Sequence, residues 1–253
     1  MRVLGDAELE RYARHIVLHE IGGAGQVRLN AARVAVVGAG GIGCPALQYL
    51  VAAGVGSITL FDDDTVSLSN LQRQILFAEA DVGKPKAGVA AVALARLNPG
   101  CVVTPSLIRL DTANASALLA GHDVVLDGTD SFASRLAVAD AAYVLKVPLV
   151  SAAIGQFHGQ VATWRGWLPD KPCYRCYVGD AFDAEDCDTC AELGVLGAMT
   201  GLLGSFAAME TIRAITGFGD EPSGKLHLID GLSPAMRTIT MPKDPGCRTC
   251  GLG

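Results

Sequence analysis

Three Cys-x-x-Cys pairs lie in the second half of the chain: CYRC at 173–176, CDTC at 187–190 and CRTC at 247–250. Four thiolates close a tetrahedral structural metal site, so three pairs are one too many. The first half carries a different chemistry. GAGGIG at 38–43 fits G-x-G-x-x-G at Gly38, Gly40 and Gly43, where an apolar run hands over to a helical pattern. Glycines there allow a tight turn and let backbone N–H groups at a helix start cradle a phosphate. Glycines that only allow close helix-to-sheet packing are the other reading. Asp62, at the end of the next apolar run, is placed to accept hydrogen bonds from ribose hydroxyls.

This pattern points to a nucleotide, and the residues beyond Asp62 decide which one. DDDTVSLSNLQRQILF and then VGKPKAG supply Asn70, Arg73 and Lys86. Two cations and an amide can neutralise a triphosphate and steady a pentavalent phosphorus, which hydride transfer does not require. ATP is therefore favoured over a nicotinamide cofactor. DVVLDGTDS brings Asp127 and Asp130 to the end of another strand, where a carboxylate can hold the magnesium that bridges phosphates. The competing reading of Asp130 is an N-cap of the helix over 131–145, a role Ser131 could equally fill.

The elements that must position these residues alternate. RVAVVG (33–38) reads as a strand, ALQYLVAAG as a helix, SITLFD (57–62) as a strand and KAGVAAVALARLN (86–98) as a helix. CVVTPS, DVVLDG and VPLVSAA are further strands, separated by ASALLA and FASRLAVADAAYVLK as helices. That alternation predicts right-handed crossovers and a parallel sheet covered on both faces. Before it, Asp6 with Leu9, Ala13, Ile16 and Val17 predicts one capped amphipathic helix that stops near the glycines of IGGAG. Beyond about residue 154, FHGQVATWR, KLHLID and MRTITM read as antiparallel strands that continue the sheet. The expected fold is α/β: a Rossmann-like, mostly parallel sheet continued by antiparallel strands, with a C-terminal structural zinc site. It spans 1–253 as a single domain, with a nucleotide-binding half over 1–153 and a second half over 154–253.

Composition narrows the partners. A formal charge of −6 provides no basic footprint for nucleic acid. Leu193 to Met209 carries no charge, but it is short for a span, rich in glycine and bracketed by Glu192 and Glu210, so it reads as a buried helix and not a membrane anchor. MRVLGDAELERYARHIV lacks the apolar core of a secretory signal, and the expected location is cytoplasmic, with the eight cysteines reduced. Cys44 and Cys101 read as small buried hydrophobes.

Taken in order, RYARH (11–15), GAGGIG, DDDTVSLSNLQRQ, GKPKAG, GTDS, PCYRC, DTCAELGV and DPGCRTCG resemble the E1-like enzymes that adenylylate ubiquitin-fold sulfur carriers in the molybdopterin and thiamine pathways. The resemblance implies attack of the carrier's C-terminal Gly-Gly carboxylate on the α-phosphorus of ATP-magnesium. It implies nucleotide binding by Gly41, Asp62, Asn70, Arg73 and Lys86, with Asp130 as the magnesium ligand. It further implies a homodimer, in which Arg14 reaches the phosphates bound by the other copy. His15 replaces the usual Gln, and DGTDS replaces the more common DCTDN, while Asp130 itself is retained. With the chain ending just after Cys250, a separate protein is expected to donate sulfur. A nicotinamide oxidoreductase and a non-catalytic carrier-binding scaffold are the competing classes.

The resemblance assigns zinc to Cys173, Cys176, Cys247 and Cys250. Pro172, Pro245-Gly246 and Gly251 suit the turns of such knuckles, and the long intervening segment adds little closure cost, since that cost grows only logarithmically. CDTC is left over in an acidic stretch that includes Asp183, Glu185, Asp186 and Asp188. Carboxylates raise a thiol pKa, whereas the helix start just beyond it favours thiolate at Cys190. Cys190 also matches the family's carrier-linking thiol. A loop thiol without chemistry is the alternative, and Cys187 is a bystander or a resolving partner.

Overall fold

The computed structural model of the protein describes residues 3–179 and 194–251. Its helices are α1 (Asp6–Arg11), α2 (Ala13–Ile16), α3 (Gly22–Ala31), α4 (Gly43–Ala52), α5 (Lys86–Leu97), α6 (Ala115–Leu119), α7 (Phe132–Leu145), α8 (Tyr174–Val178) and α9 (Gly197–Thr216). The strands are β1 (Arg33–Val37), β2 (Ser57–Phe61), β3 (Val102–Ser106), β4 (Val124–Asp127), β5 (Leu149–Gly155), β6 (His158–Trp164), β7 (Lys225–Asp230) and β8 (Ala235–Thr240). They form one sheet in the order β3-β2-β1-β4-β5-β6-β7-β8. Pairs from β3 to β5 are parallel, and those from β5 to β8 are antiparallel. The expected mixed α/β architecture is present.

Val34–Val37 of β1 and Val124–Leu126 of β4 are unbroken apolar runs because both faces of the sheet are covered there. Along β1 the side chains alternate between two cores. Val34 and Val36 join Leu47 and Leu50 of α4, Leu94 of α5 and Leu203 of α9. Ala35 and Val37 face the opposite way, toward Leu119 of α6 and Val138 of α7. Fully burying one such Leu contributes about 1.5–3 kcal/mol.

The uncharged run after Leu193 contributes to α9, a helix buried along one side but with Leu202 and Met209 exposed, and capped by Gly217 in the left-handed region (φ 74°). A Cβ at Gly204 would collide with the Ile42 carbonyl, so glycine lets α9 lie directly on the start of α4. No described helix is long and apolar enough to cross a membrane.

The amino terminus departs from expectation. The single helix breaks at Tyr12, whose ring is buried and whose hydroxyl accepts from Asn98 Nδ2 at 2.9 Å. Anchoring that ring outweighs continuation of the helix. Gly5, not Asp6, occupies the N-cap, and its N–H donates to the Glu8 carboxylate at 3.0 Å. The IGGAG glycines then open α3 instead of ending the preceding helix.

Candidate nucleotide-binding site

Parallel register brings the chemistry to one edge of the sheet. Val37 of β1 is paired with Phe61 of β2 and with Asp127 of β4, so Gly38, Asp62 and Gly128 all emerge at the same level. On either side of β1 the crossovers run in opposite directions, and this opens the crevice in which ligands of such sheets collect. A cavity of about 540 Å³ occupies it, lined among others by Gly38, Gly40, Gly41, Asp62, Arg73, Lys86 and Asp130.

Gly38 has φ +93°, a conformation that L side chains rarely adopt, and a Cβ there would press on the Gly128 carbonyl. The turn therefore needs glycine for its backbone, beyond any packing role. Gly43 is the first residue of α4 and does not line the cavity.

Asp62 Oδ2 accepts the Ala39 N–H at 2.6 Å, and Oδ1 accepts the Asp64 N–H at 3.0 Å. One carboxylate thus ties the glycine turn to the end of β2 while it lines the cavity. Burial raises its pKa above the ordinary value, against the lowering effect of the Ala39 N–H and of Lys86.

Lys86 opens α5, is 5% exposed, and pairs with Asp64 at 3.0 Å. Asp64 escapes sequence inspection because it sits in a run of three aspartates with nothing to single it out. Arg73 donates from Nη1 to the Ser69 carbonyl at 3.1 Å, which leaves its other donors available to the cavity it lines. Asn70 lies apart from the cavity lining, and its side-chain oxygen accepts the Ser67 N–H at 3.3 Å. Beside it, Gln74 lines the cavity with a buried Oε1 that has no hydrogen-bond partner. Arg14 is exposed on α2, away from the cavity of its own chain.

At the β4 end the two candidate aspartates separate. Asp127 is fully buried; its Oδ1 accepts from the Thr129 N–H (3.0 Å) and hydroxyl (2.8 Å), and its Oδ2 lies 3.6 Å from Arg135 Nε. Asp130 is exposed and lines the cavity. Ser131 caps α7, its hydroxyl accepting the Ser134 N–H at 3.3 Å, so Asp130 is not needed as a cap.

The outer cysteine pairs meet. Sulfur atoms of Cys173, Cys176, Cys247 and Cys250 all lie within 4.8 Å of one another. Four convergent thiols are the donor set of a closed structural zinc site. Burial pushes the Cys176 thiol up to about 11 and also raises Cys173, so metal uptake must displace protons. Beginning inside the first pair, α8 carries Tyr174 and Tyr177 into the cavity wall, and Tyr177 donates to Gln160 Oε1 at 2.6 Å. Cys44 and Cys101 are buried, and burial pushes both thiols up to about 12. Cys187 and Cys190 lie outside the described residues.

The ThiF family matches residues 12–249, and the chain belongs to that family. Molybdopterin-synthase adenylyltransferase of Escherichia coli is 44% identical over 99% of this chain and 100% of its own length. The SAMP-activating enzyme E1 of Haloferax volcanii is 42% identical over 99% of this chain and 92% of its own. Among solved structures, Escherichia coli MccB crystallised with ATP superposes with a TM-score of 0.83 at 23% identity, over 99% of this chain and 77% of that one, a likeness of fold.

Proposed function

We propose that this protein is an ATP-dependent adenylyltransferase acting on the C-terminal glycine of a ubiquitin-fold sulfur carrier that ends in Gly-Gly. The observation that carries this reading is the convergence of a glycine turn, two cations and an exposed carboxylate on one cavity. It occurs in a chain similar from end to end to a molybdopterin-synthase adenylyltransferase. The reaction forms a bond between the carrier carboxylate oxygen and the α-phosphorus, and breaks the bond from that phosphorus to the oxygen bridging to the β-phosphorus. Pyrophosphate leaves.

The glycine turn and Asp62 hold the nucleotide, with Asn70 supporting the 67–70 turn that precedes Arg73. Arg73 and Lys86 offset charge that builds on the phosphoryl oxygens. Asp130 is the residue to hold magnesium, which supplies charge neutralisation between the phosphates. The exposed position of Arg14, outside its own cavity, suits donation across a homodimer. Zinc on the four cysteines would serve structure, since four thiolates leave no open position.

Full-length similarity favours the molybdopterin-synthase small subunit as the carrier. The thiamine-pathway carrier is the alternative. We place the reaction in the cytoplasm, with a separate sulfur donor. The test is exchange of labelled pyrophosphate into ATP with each purified carrier. Exchange is expected only with a carrier that keeps its terminal Gly-Gly, and most strongly with the molybdopterin one. Absence of exchange with every such carrier, or tight NADH binding alongside indifference to ATP, would overturn the proposal.

A further inference from the structure

The exposed Asp130 stands on a turn whose support is buried. Arg135, one turn into α7, is 7% exposed where it reaches the cavity edge, and its Nη2 donates to the carbonyl of Thr129, the residue directly before Asp130. Its Nε faces Asp127 Oδ2 at 3.6 Å, and the other oxygen of Asp127 holds the N–H and hydroxyl of the same Thr129. The guanidinium also interacts electrostatically with the Tyr174 phenol, from the first residue of α8. Tyr174 is itself 4% exposed and packs edge-on against Trp164, with ring centroids 5.7 Å apart. Thr129 is thus held from both ends: its N–H and hydroxyl by Asp127, its carbonyl by Arg135. Cation and anion are mutually neutralised in the interior, where leaving either one alone would be strongly unfavourable.

We propose that Arg135 is a positioning residue for Asp130: with Asp127 and Tyr174 it locks the Gly128–Asp130 turn, and so sets the affinity of the site for magnesium-ATP. Groups that orient a metal ligand typically change metal affinity about 10–100-fold when replaced, without touching the metal. A lysine at 135 keeps the charge but cannot face Asp127, Thr129 and Tyr174 with one planar fork.

The proposal rests on reading Asp130 as the magnesium ligand, and the experiment separates the two. ATP binding to the whole protein is measured by calorimetry over a magnesium titration, and again without magnesium, for the wild type, Arg135→Lys, Asp130→Asn and the double variant. In Arg135→Lys, the magnesium needed for half-saturation is expected to rise about tenfold or more. Affinity for magnesium-free ATP should change less than twofold, and Arg135→Lys should add less than twofold in the Asp130→Asn background. Equal weakening with and without magnesium, or an undiminished effect in the Asp130→Asn background, would overturn the positioning role, since Arg135 would then act on the nucleotide directly or on the whole cavity. An Asp130→Asn variant with normal magnesium dependence would instead overturn the ligand assignment. If Arg135→Lys does not fold, Asp127→Asn, which keeps the shape of the side chain but removes the charge that faces Arg135, replaces it under the same criteria.

Discussion

Asp62 has two duties that oppose each other. It must be ionised to receive ribose hydroxyls well, yet it lies where burial favours the protonated form. Because its folded pKa is raised above the unfolded value of 3.8, the protonated group favours the folded state at low pH. That contribution is lost as pH rises through the folded pKa. Asp62→Asn cannot ionise, so its melting temperature relative to wild type should increase as pH is raised from about 4 toward neutrality. Nucleotide affinity of the same variant should fall. A relative melting temperature that decreases with rising pH would contradict the buried-carboxylate account.

Elements carry this precision because a helix start is a place, not only a shape. α4, α5 and α7 each begin at the cavity edge, presenting the glycine turn, Lys86 and the Asp130–Ser131 step. For α7, two adjacent residues divide the work: Ser131 caps and Asp130 faces outward. Ser131→Ala should therefore cost about 1 kcal/mol of stability, and Asp130→Ala less than about 0.5 kcal/mol. Thermal melting of the two variants tests the division; a larger loss from Asp130→Ala would reverse it. Strand and helix order was legible in the sequence because apolar runs of four to six residues alternate with longer amphipathic ones. The break at Tyr12 was not, because it depends on Asn98, far along the chain, donating to that hydroxyl.

For the whole molecule, the cysteine cluster joins the C-terminal tail to α8 and, through α8, to the nucleotide cavity. The bidentate pair of Arg175 with Asp140, at 2.8 and 2.7 Å, fastens α8 to α7, and Lys243 ties the tail to the carbonyls of Gly166 and Leu168. Cys250→Ser should abolish stoichiometric zinc binding and lower the melting temperature, each kcal/mol lost corresponding to about 2–4 °C in a chain of this length. In the wild type, retained zinc should decrease as pH falls, because protons compete for the thiolates. Metal analysis after dialysis at stepped pH reads this directly, and zinc content independent of both pH and Cys250 would refute a four-thiolate site.

Spacing within a short stretch depends on local backbone geometry, and this the chain carries in its order of residues. The glycine turn and the Asp62 position could be read there, and they lead to a nucleotide; the pairing of CYRC with CRTC came from the resemblance. Which of several like residues does the work depends on burial and on partners distant in sequence. Tertiary packing alone separated buried Asp127 from exposed Asp130, gave Lys86 the Asp64 carboxylate, withdrew Asn70 from the cavity lining and set Arg135 behind Thr129. A carboxylate has the same letter in the core and in solvent; the surrounding fold determines its charge, its reach and therefore its use.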